Sequence, residues 1–427
     1  MNWYKIFGFG AVTSLFKFGS SFLLFGLLAR QIEPSDYKVV PLAMGLLVFI
    51  DLFCESGITA FLNKNKVSNN VYKKLRRRQL SIAVFLYFIA VLVSFLYDFY
   101  FNVNGQFLYC LIACCVVVTY PYYYTNVGEL RRDNKFYNLN FVDIHSQSLY
   151  GIAFLLLYFY DYGIYTIALS QIVLSISRLY FSYKYLKQHR STCAINKATM
   201  ETIDDYKYVV NKINSTLKAS LYKSFSQNIE FYLLPTIFNG AVLSFLVQAR
   251  KISLIPTDFM SSMFSSPMIS FLNGNKKLVV YFPIVYMGMG LITMLLVYLC
   301  SDYFISIYLG GNWLEVGNYL KIYSMVIPVV FLNLLIMPFY LSQAEYDLNR
   351  ICYKINSLIF VSAVIIPIYL FRYDSFHYAN LFTLIYSLSS IFTLYMFCRY
   401  LKRKWLYCAC CCLILIYYWF ILLHVEF

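Results

Sequence analysis

Charge is scarce in this chain of 427 residues. Asp, Glu, Lys and Arg together make up 13% of it and histidine occurs four times, against 60% apolar residues and a mean hydropathy of +0.62. No water-soluble globule of ordinary surface can carry that composition, so lipid is the solvent of most of the chain. Catalytic signatures are missing as well. There is no Gly-x-x-x-x-Gly-Lys-Ser/Thr phosphate loop, which argues against ATP hydrolysis by this chain. Nor is there a Gly-x-Ser-x-Gly elbow or a His-Glu-x-x-His pair, and His145, His189, His377 and His424 are scattered. The reading is of a protein that is not an enzyme and uses no cofactor. Cys54, Cys110, Cys114, Cys115, Cys300 and Cys398 fall inside apolar runs and read as small packing residues. Cys408, Cys410, Cys411 and Cys412 are crowded, with no second pair and no histidine nearby, so they too read as packing and not as a metal site.

What is present is a succession of apolar runs of roughly 20 residues, the length that crosses a bilayer. The first six are Ile6–Leu28, Val39–Leu62, Leu80–Tyr97, Gln106–Tyr124, Leu139–Tyr160 and Gly163–Tyr183. After a polar interval come Ala219–Phe238, Val242–Leu272, Leu278–Leu299, Leu320–Leu341, Tyr353–Phe371 and Ala379–Phe397, with a last run at Trp405–Leu423. The first run shows no small-residue cleavage pattern and is expected to stay as a helix. Basic residues alternate between loops. With Met1 cytoplasmic, the inside loops hold Lys64, Lys66, Lys73, Lys74, Arg76, Arg77, Arg78, Arg131, Arg132, Lys135, the segment Lys184–Lys218, Lys276, Lys277, Arg399, Lys402, Arg403 and Lys404. The outside loops hold only Arg30, Lys38 and Arg372. This asymmetry predicts an N-inside topology in a bacterial inner membrane. It also explains most of the net charge of +15, so no nucleic-acid partner is expected.

The fold class is therefore an all-α polytopic membrane protein with 12, possibly 13, transmembrane helices. The polar interval divides it into an N-terminal six-helix bundle (residues 1–183), a cytoplasmic linker (184–218), a C-terminal six-helix bundle (219–398) and a basic loop with an additional hydrophobic helix (399–427). Within the linker, Ile203, Tyr206, Val209, Val210, Ile213 and Leu217 follow one helical face, with Lys207, Lys212 and Lys218 opposite. This predicts an amphipathic helix on the cytoplasmic leaflet, joining the two halves. Nine of the ten prolines fall in or at the ends of apolar runs, where kinked or broken helices are tolerated. The 43 tyrosines and 39 phenylalanines are spread over nearly all runs and loops. That spread favours a compositional bias over an interfacial belt or a sugar-stacking lumen.

Several local patterns, in a common order along the chain, resemble the polysaccharide and oligosaccharidyl-lipid flippases, a branch of the multidrug/oligosaccharidyl-lipid/polysaccharide exporter superfamily. They are Leu28-Ala29-Arg30 with Glu33-Pro34-Ser35-Asp36-Tyr37, Glu55-Ser56-Gly57-Ile58, Leu130-Arg131-Arg132-Asp133-Asn134-Lys135-Phe136, Asn239-Gly240 through Ala249-Arg250-Lys251-Ile252 with Pro267, and Leu309-Gly310-Gly311-Asn312-Trp313. Two departures stand beside them: Lys38 where the family usually has glycine, and a thirteenth run. The resemblance implies two pseudo-symmetric bundles around a central cavity that opens alternately to either side. It also implies a cargo such as an O-antigen or capsule repeat unit carried on undecaprenyl diphosphate, with membrane lipids and other polysaccharide-assembly membrane proteins as partners.

Charges inside apolar runs cost about 3 kcal/mol each, so those present are the first functional candidates. A lipid diphosphate crossing hydrocarbon needs cationic compensation, and Lys17, Lys223, Arg250 and Lys251 are the candidates to supply it. Lys321 and Arg178, near run ends, read as snorkelling or paired. Asp51 and Glu55 share one helix face, and two carboxylates so close in low dielectric do not both ionise easily. Either one of them carries a coupling proton, with Glu230 and Asp258 as candidates in the second half, or one neutralises Lys17 in a buried pair. Two other functions compete with the flippase. A multidrug cation antiporter would want an anionic cavity, whereas the charges within the runs are slightly more basic than acidic. A membrane polysaccharide polymerase would want a large outside loop with catalytic arginines, and Ser301–Gly317 holds none.

Overall fold

A computed structural model describes residues 3–55, 57–101, 105–133, 135–193, 202–214, 217, 221, 234–238, 240–274, 282–342, 346–360, 362, 364, 366 and 374–400. The apolar run at Trp405–Leu423 and its cysteine cluster lie outside them. The chain forms two compact units: Met1–Ile32 with Asp36–Pro235, and Glu33–Ser35 with Thr236–Phe427.

The first unit contains α1 (Trp3–Ala29), α2 (Val39–Glu55), α3 (Ile58–Lys64), β1 (Lys66–Val67), α4 (Asn69–Phe101), α5 (Gln106–Cys114), α6 (Tyr120–Arg132), α7 (Phe136–Phe159), α8 (Tyr165–Cys193), β2 (Thr202–Ile203) and α9 (residues 206–214). Lipid contributes no hydrophobic drive between helices, so small residues and interhelical hydrogen bonds bring them together. Gln147 of α7 donates to Ser20 and Ser21 of α1 at 3.1 and 2.8 Å. Asn126 of α6 donates to Ser182 of α8 at 3.0 Å. A Cβ on Gly128 of α6 would stand 2.8 Å from Leu62 Cβ, so only glycine permits α6 to lie this close to α3. Leu24, Leu28, Ile32, Tyr150, Phe154 and Leu174 close the apolar core among α1, α7 and α8. The other face of α4 leaves Phe85, Phe88, Leu92, Phe95 and Phe99 exposed, as a lipid-facing surface requires.

The second unit contains α10 (Gly240–Gly274), α11 (Phe282–Tyr308), α12 (Glu315–Ser324), α13 (Ile327–Ser342), α14 (Tyr346–Phe360) and α15 (Ser375–Tyr400). Trp313, in the short turn ahead of α12, is fully buried against Phe245 of α10. Lys321 of α12 pairs with Asp302 of α11 at 2.6 Å, so this near-end lysine is paired, as its position suggested.

Among the described residues, six helical stretches are long and apolar enough to cross a membrane, or seven when the α12–α13 pair, bent by 49°, is counted as one span. The chain is therefore a multi-pass helical membrane protein. The other long helices are less apolar because they turn polar groups inward. On α7 these are Ser146 and Gln147, on α8 Ser170, Ser175 and Ser182, and on α10 Ser244, Gln248 and Arg250.

Three expected spans are interrupted. Val39–Leu62 divides into α2 and α3 at Gly57, whose φ of 78° suits glycine. Gln106–Tyr124 divides into α5 and α6 around a 3-10 turn at Cys115–Val118. Leu320–Leu341 divides into α12 and α13. Pro121, Pro283 and Pro328 each occupy the second residue of a helix. Their missing N–H costs little there, and they start helices where kinks were expected.

The linker differs most from expectation. Asp205 caps α9 by accepting from the backbone N–H groups of Lys207 and Tyr208 at 2.8 and 3.2 Å. Val209 and Ile213 are buried against Ile58, Leu62, Val71, Tyr72 and Leu75, with Ile203 and Tyr206 packed beside them. β2 pairs in parallel with β1, and Arg78 donates to Asn214 at 2.9 Å. The apolar face that was expected to lie on a lipid leaflet lies on α3 and α4 instead. Protein surface presents an apolar groove there, and a tethered neighbour fills it.

Two outcomes test this description. Val209→Asp with Ile213→Asp should detach α9 and accelerate tryptic cleavage at Lys207 and Lys212, read by limited proteolysis; unchanged protection would show that the packing is wrong. At the start of α15, Asp374 Oδ1 accepts from His377 N and lies 2.8 Å from His377 Nδ1. The backbone N–H of His377 foremost, then its ring, holds the Asp374 carboxyl below its ordinary value. A depressed value means stabilisation that is full above the unfolded carboxyl's value of about 4 and is lost as pH falls through the lower folded one. The hydrogen-exchange protection of the amides at the start of α15, relative to their intrinsic rates, should fall at acid pH, and Asp374→Ala should cost that helix about 1 kcal/mol at neutral pH.

Candidate functional site

The polar interior of the first unit is assembled by four helices. α2 carries Asp51 half-buried and Glu55 exposed, one turn apart and close to the break at Gly57. The carboxylate of Asp51 accepts a hydrogen bond from the hydroxyl of Tyr124 on α6. Tyr120 and Tyr123 flank Tyr124, with ring centroids 5.9 and 5.4 Å away. The 3-10 turn before α6 sets Thr119 against Ser175 of α8, hydroxyl to hydroxyl, and Ser175 also donates to Val116 O at 3.3 Å. On α8, Gln171, Leu174, Ser175 and Arg178 repeat at helical spacing and so share a face. Together these residues enclose a cavity of about 120 Å³ that opens beside Asp51.

Arg178 ties this cavity to a second carboxylate. Its Cζ lies 6.0 Å from the Tyr123 ring, and its Nε lies 3.9 Å from Oδ1 of Asp143 on α7. Beyond hydrogen-bond length, that separation leaves Nε without a hydrogen-bond partner. Lys17 of α1 stands in the same field, acted on by Asp143 and Arg178, with its Nζ 5.8 Å from the Phe18 ring. Asp143 is the carboxylate that acts on Lys17.

The adjacent basic side chain Arg76 is engaged elsewhere. It donates to Thr125 and Tyr72 at 2.8 Å and to Asn126 Oδ1 at 2.5 Å, and stacks 4.3 Å over Tyr72. This network fastens α4 to α6 beneath the cavity.

In the second unit the candidates on α10 part company. Arg250 is 7% exposed, with its guanidinium 4.9 Å over the ring of Phe382 on α15. Tyr323 of α12 and Tyr378 and Tyr386 of α15 pack around that ring, with centroids 5.6, 6.3 and 5.7 Å from it. Lys251 and Asp258 are exposed and, seven residues apart, share one face of α10. Lys223 and Glu230 lie outside the described residues.

Of the proposed residues that are described, Asp51 and Glu55 lie together on α2, and Lys17 and Asp51 both lie in the field of Arg178. Arg178 was set aside because it lies near the end of its span, and Asp143 was passed over. The signal available in the sequence was that both fall within apolar runs of adjacent helices, where an unpaired charge is costly. The three tyrosines had no such signal, being lost among 43.

This architecture defines a class of membrane protein whose halves bury polar clusters inside long apolar helices. Residues 27–318 match the polysaccharide biosynthesis protein family, and the chain belongs to that family. Its fold is that of the exporter superfamily it resembles in sequence. A lipid II flippase, MurJ, in an inward closed conformation superposes with a TM-score of 0.68 at 15% identity, covering 100% of this chain and 93% of that one. A MATE protein in a bent conformation gives 0.64 at 11% identity over 96% and 98%. A eukaryotic MATE transporter gives 0.64 at 11% over 94% and 95%. No curated protein matches the sequence significantly.

Double-mutant analysis checks the cluster. Asp143→Asn should destabilise the protein by about 1–3 kcal/mol, since it strands Arg178 and Lys17 in a poorly solvated interior. Adding Arg178→Gln should cost less than the sum of the two single changes, read by thermal unfolding in detergent. Strict additivity would show that the two residues do not interact.

Proposed function

We propose that this protein is a flippase that moves oligosaccharide repeat units linked to undecaprenyl diphosphate across a bacterial inner membrane by alternating access, without chemical conversion of the cargo. The observation that carries this reading is the match of residues 27–318 to the polysaccharide biosynthesis family. The likeness in fold to a lipid II flippase supports it. Within the reading, the N-terminus is cytoplasmic and residues 1–183 and 219–398 act as two six-helix bundles, with 184–218 as the linker and 399–427 as an appended segment. Lys17, Lys223, Arg250 and Lys251 compensate the anionic head group, because an uncompensated diphosphate cannot enter hydrocarbon. Asp51 and Glu55, with Glu230 and Asp258, couple movement to an ion gradient. The cargo belongs to O-antigen or capsule assembly, with the polymerising membrane proteins as partners.

Leaflet accessibility of lipid-linked repeat units in cells decides the matter. With Lys17→Ala, Arg250→Ala and the double variant, each checked for expression beside an intact polymerase, units should accumulate on the cytoplasmic side, most strongly in the double variant. Normal outward transfer followed by unpolymerised units would identify a polymerase instead. Unchanged transfer and polymerisation would point to drug export.

A further inference from the structure

The cavity beside Asp51 shows what kind of ion it is built for. This step rests on the ion-coupled reading above and deepens it. We infer that Arg178 is the resident counter-cation of Asp51, so that this cavity exchanges a proton and excludes a metal cation.

The argument is one of charge and space. Asp51 and Arg178 line the same cavity of about 120 Å³. A metal cation seated on Asp51 would share that small volume with a guanidinium that stays protonated at every accessible pH. Like charges repel strongly where water is scarce. A proton behaves differently: once bound to the carboxylate it leaves a neutral acid and asks nothing of Arg178. Tyr124 already donates to one carboxylate oxygen, which leaves the other for the proton.

Four charges make the balance explicit. With Asp51 ionised, Asp51 and Asp143 balance Lys17 and Arg178, while Glu55, exposed one turn along α2, stands outside the cavity lining. When a hydronium ion entering the cavity gives a proton to Asp51, one of its O–H bonds breaks, one forms on the carboxyl, a neutral water remains, and the set holds one positive charge in excess, which Arg178 can direct at Asp143. Its geometry suits that alternation: Nε stands 3.9 Å from Asp143 and makes no hydrogen bond.

The groups that act on Asp51 are Tyr124 from α6, Glu55 on its own helix and Arg178 from α8, while Tyr120 and Cys54 are affected by it in turn. α4 and α5 also pack on α2. Their charged groups are engaged elsewhere: Arg76 in its network with α6, Arg78 with Asn214, and Asp98 with the backbone N–H groups of Gln106 and Phe107. Lys73, Lys74 and Arg77 are solvent-exposed. Arg178 is thus the one cation that shares the cavity with Asp51 among the described residues. It acts through Asp51 and is a positioning residue.

The test uses the purified full chain in detergent and needs no glycolipid. Thermal stability is followed from acid to alkaline pH in sodium and, separately, in choline. The wild type should show a pH-dependent step that is the same in both salts and is lost in Asp51→Asn. Arg178→Gln should move the step to higher pH, because a carboxylate that loses a neighbouring cation holds its proton more tightly. It should also gain a sodium-specific stabilisation, removed by adding Asp51→Asn. Arg178→Lys, which keeps the charge without the fork, should fall between. Sodium-specific stabilisation of the wild type that vanishes in Asp51→Asn would overturn the inference, as would a step left unmoved by both Arg178 variants. If Arg178→Gln fails to fold, the wild type against Asp51→Asn still decides proton or metal, and Arg178→Met, which also removes the charge, takes its place for the position of the step. Because no cargo is present, a titrating Asp51 in a chain that fails the leaflet assay would preserve this inference and remove the flippase, and the converse result would do the opposite.

Discussion

A charge placed in hydrocarbon must be compensated from within the chain, and most features of this protein follow from that constraint. Scarcity of charge is the first consequence: 13% of residues suffices for loops and leaves little for the interior. The second is clustering. Lys17, Asp51, Asp143 and Arg178 come from α1, α2, α7 and α8, far apart in sequence, and meet in one electrostatic cluster. Serine, threonine, glutamine and tyrosine hydroxyls and amides fill the space around them and meet one another, since a polar group without a partner is costly there too.

Bringing four helices to one point requires that some be broken or closely packed. α2 ends at Glu55, immediately after the carboxylate pair, and the chain turns through Gly57 into α3. α5 gives way to a 3-10 turn just where Thr119 and the three tyrosines must face the cavity. Gly128, pressed on Leu62, lets α6 sit against α3 and fixes the height at which Tyr124 meets Asp51. α9 and the β1–β2 pair then cover the outer side of α3, so the segment that follows the break is held from both sides. Local irregularity in this unit gathers around the charges.

The sequence disclosed membrane class, helical fold and family because each depends on patterns repeated along the chain: apolar length, alternating basic loops, and motifs in a fixed order. It did not disclose which charges meet, since pairing across helices depends on rotation and depth, which one sequence does not specify. Arg178 shows the difficulty. Seen along its own helix it is a near-end residue free to snorkel, and only the approach of α7 and α6 reveals Asp143 and Tyr123 beside it. α9 shows the reverse error. Its amphipathic spacing was legible, but periodicity reports that a face is buried and is silent on whether lipid or protein buries it.

The two arginines nearest the candidate chemistry are held in opposite ways, and this bears on how an anion could be met. Arg178 lies between carboxylates, 3.9 Å from one of them, in a cavity with room for water. Arg250 lies over Phe382, whose ring face meets part of its charge. An aromatic face is a weaker partner for a guanidinium than a diphosphate, whose oxygens accept charge-assisted hydrogen bonds from the guanidinium fork. For an anion to engage that fork, the guanidinium would have to give up contact with Phe382, which would tie capture to movement of α10 against α15. Lys251, exposed on the next residue of the same helix, needs no such movement. If both serve the head group, Lys251 makes the first contact and Arg250 the one that depends on conformation.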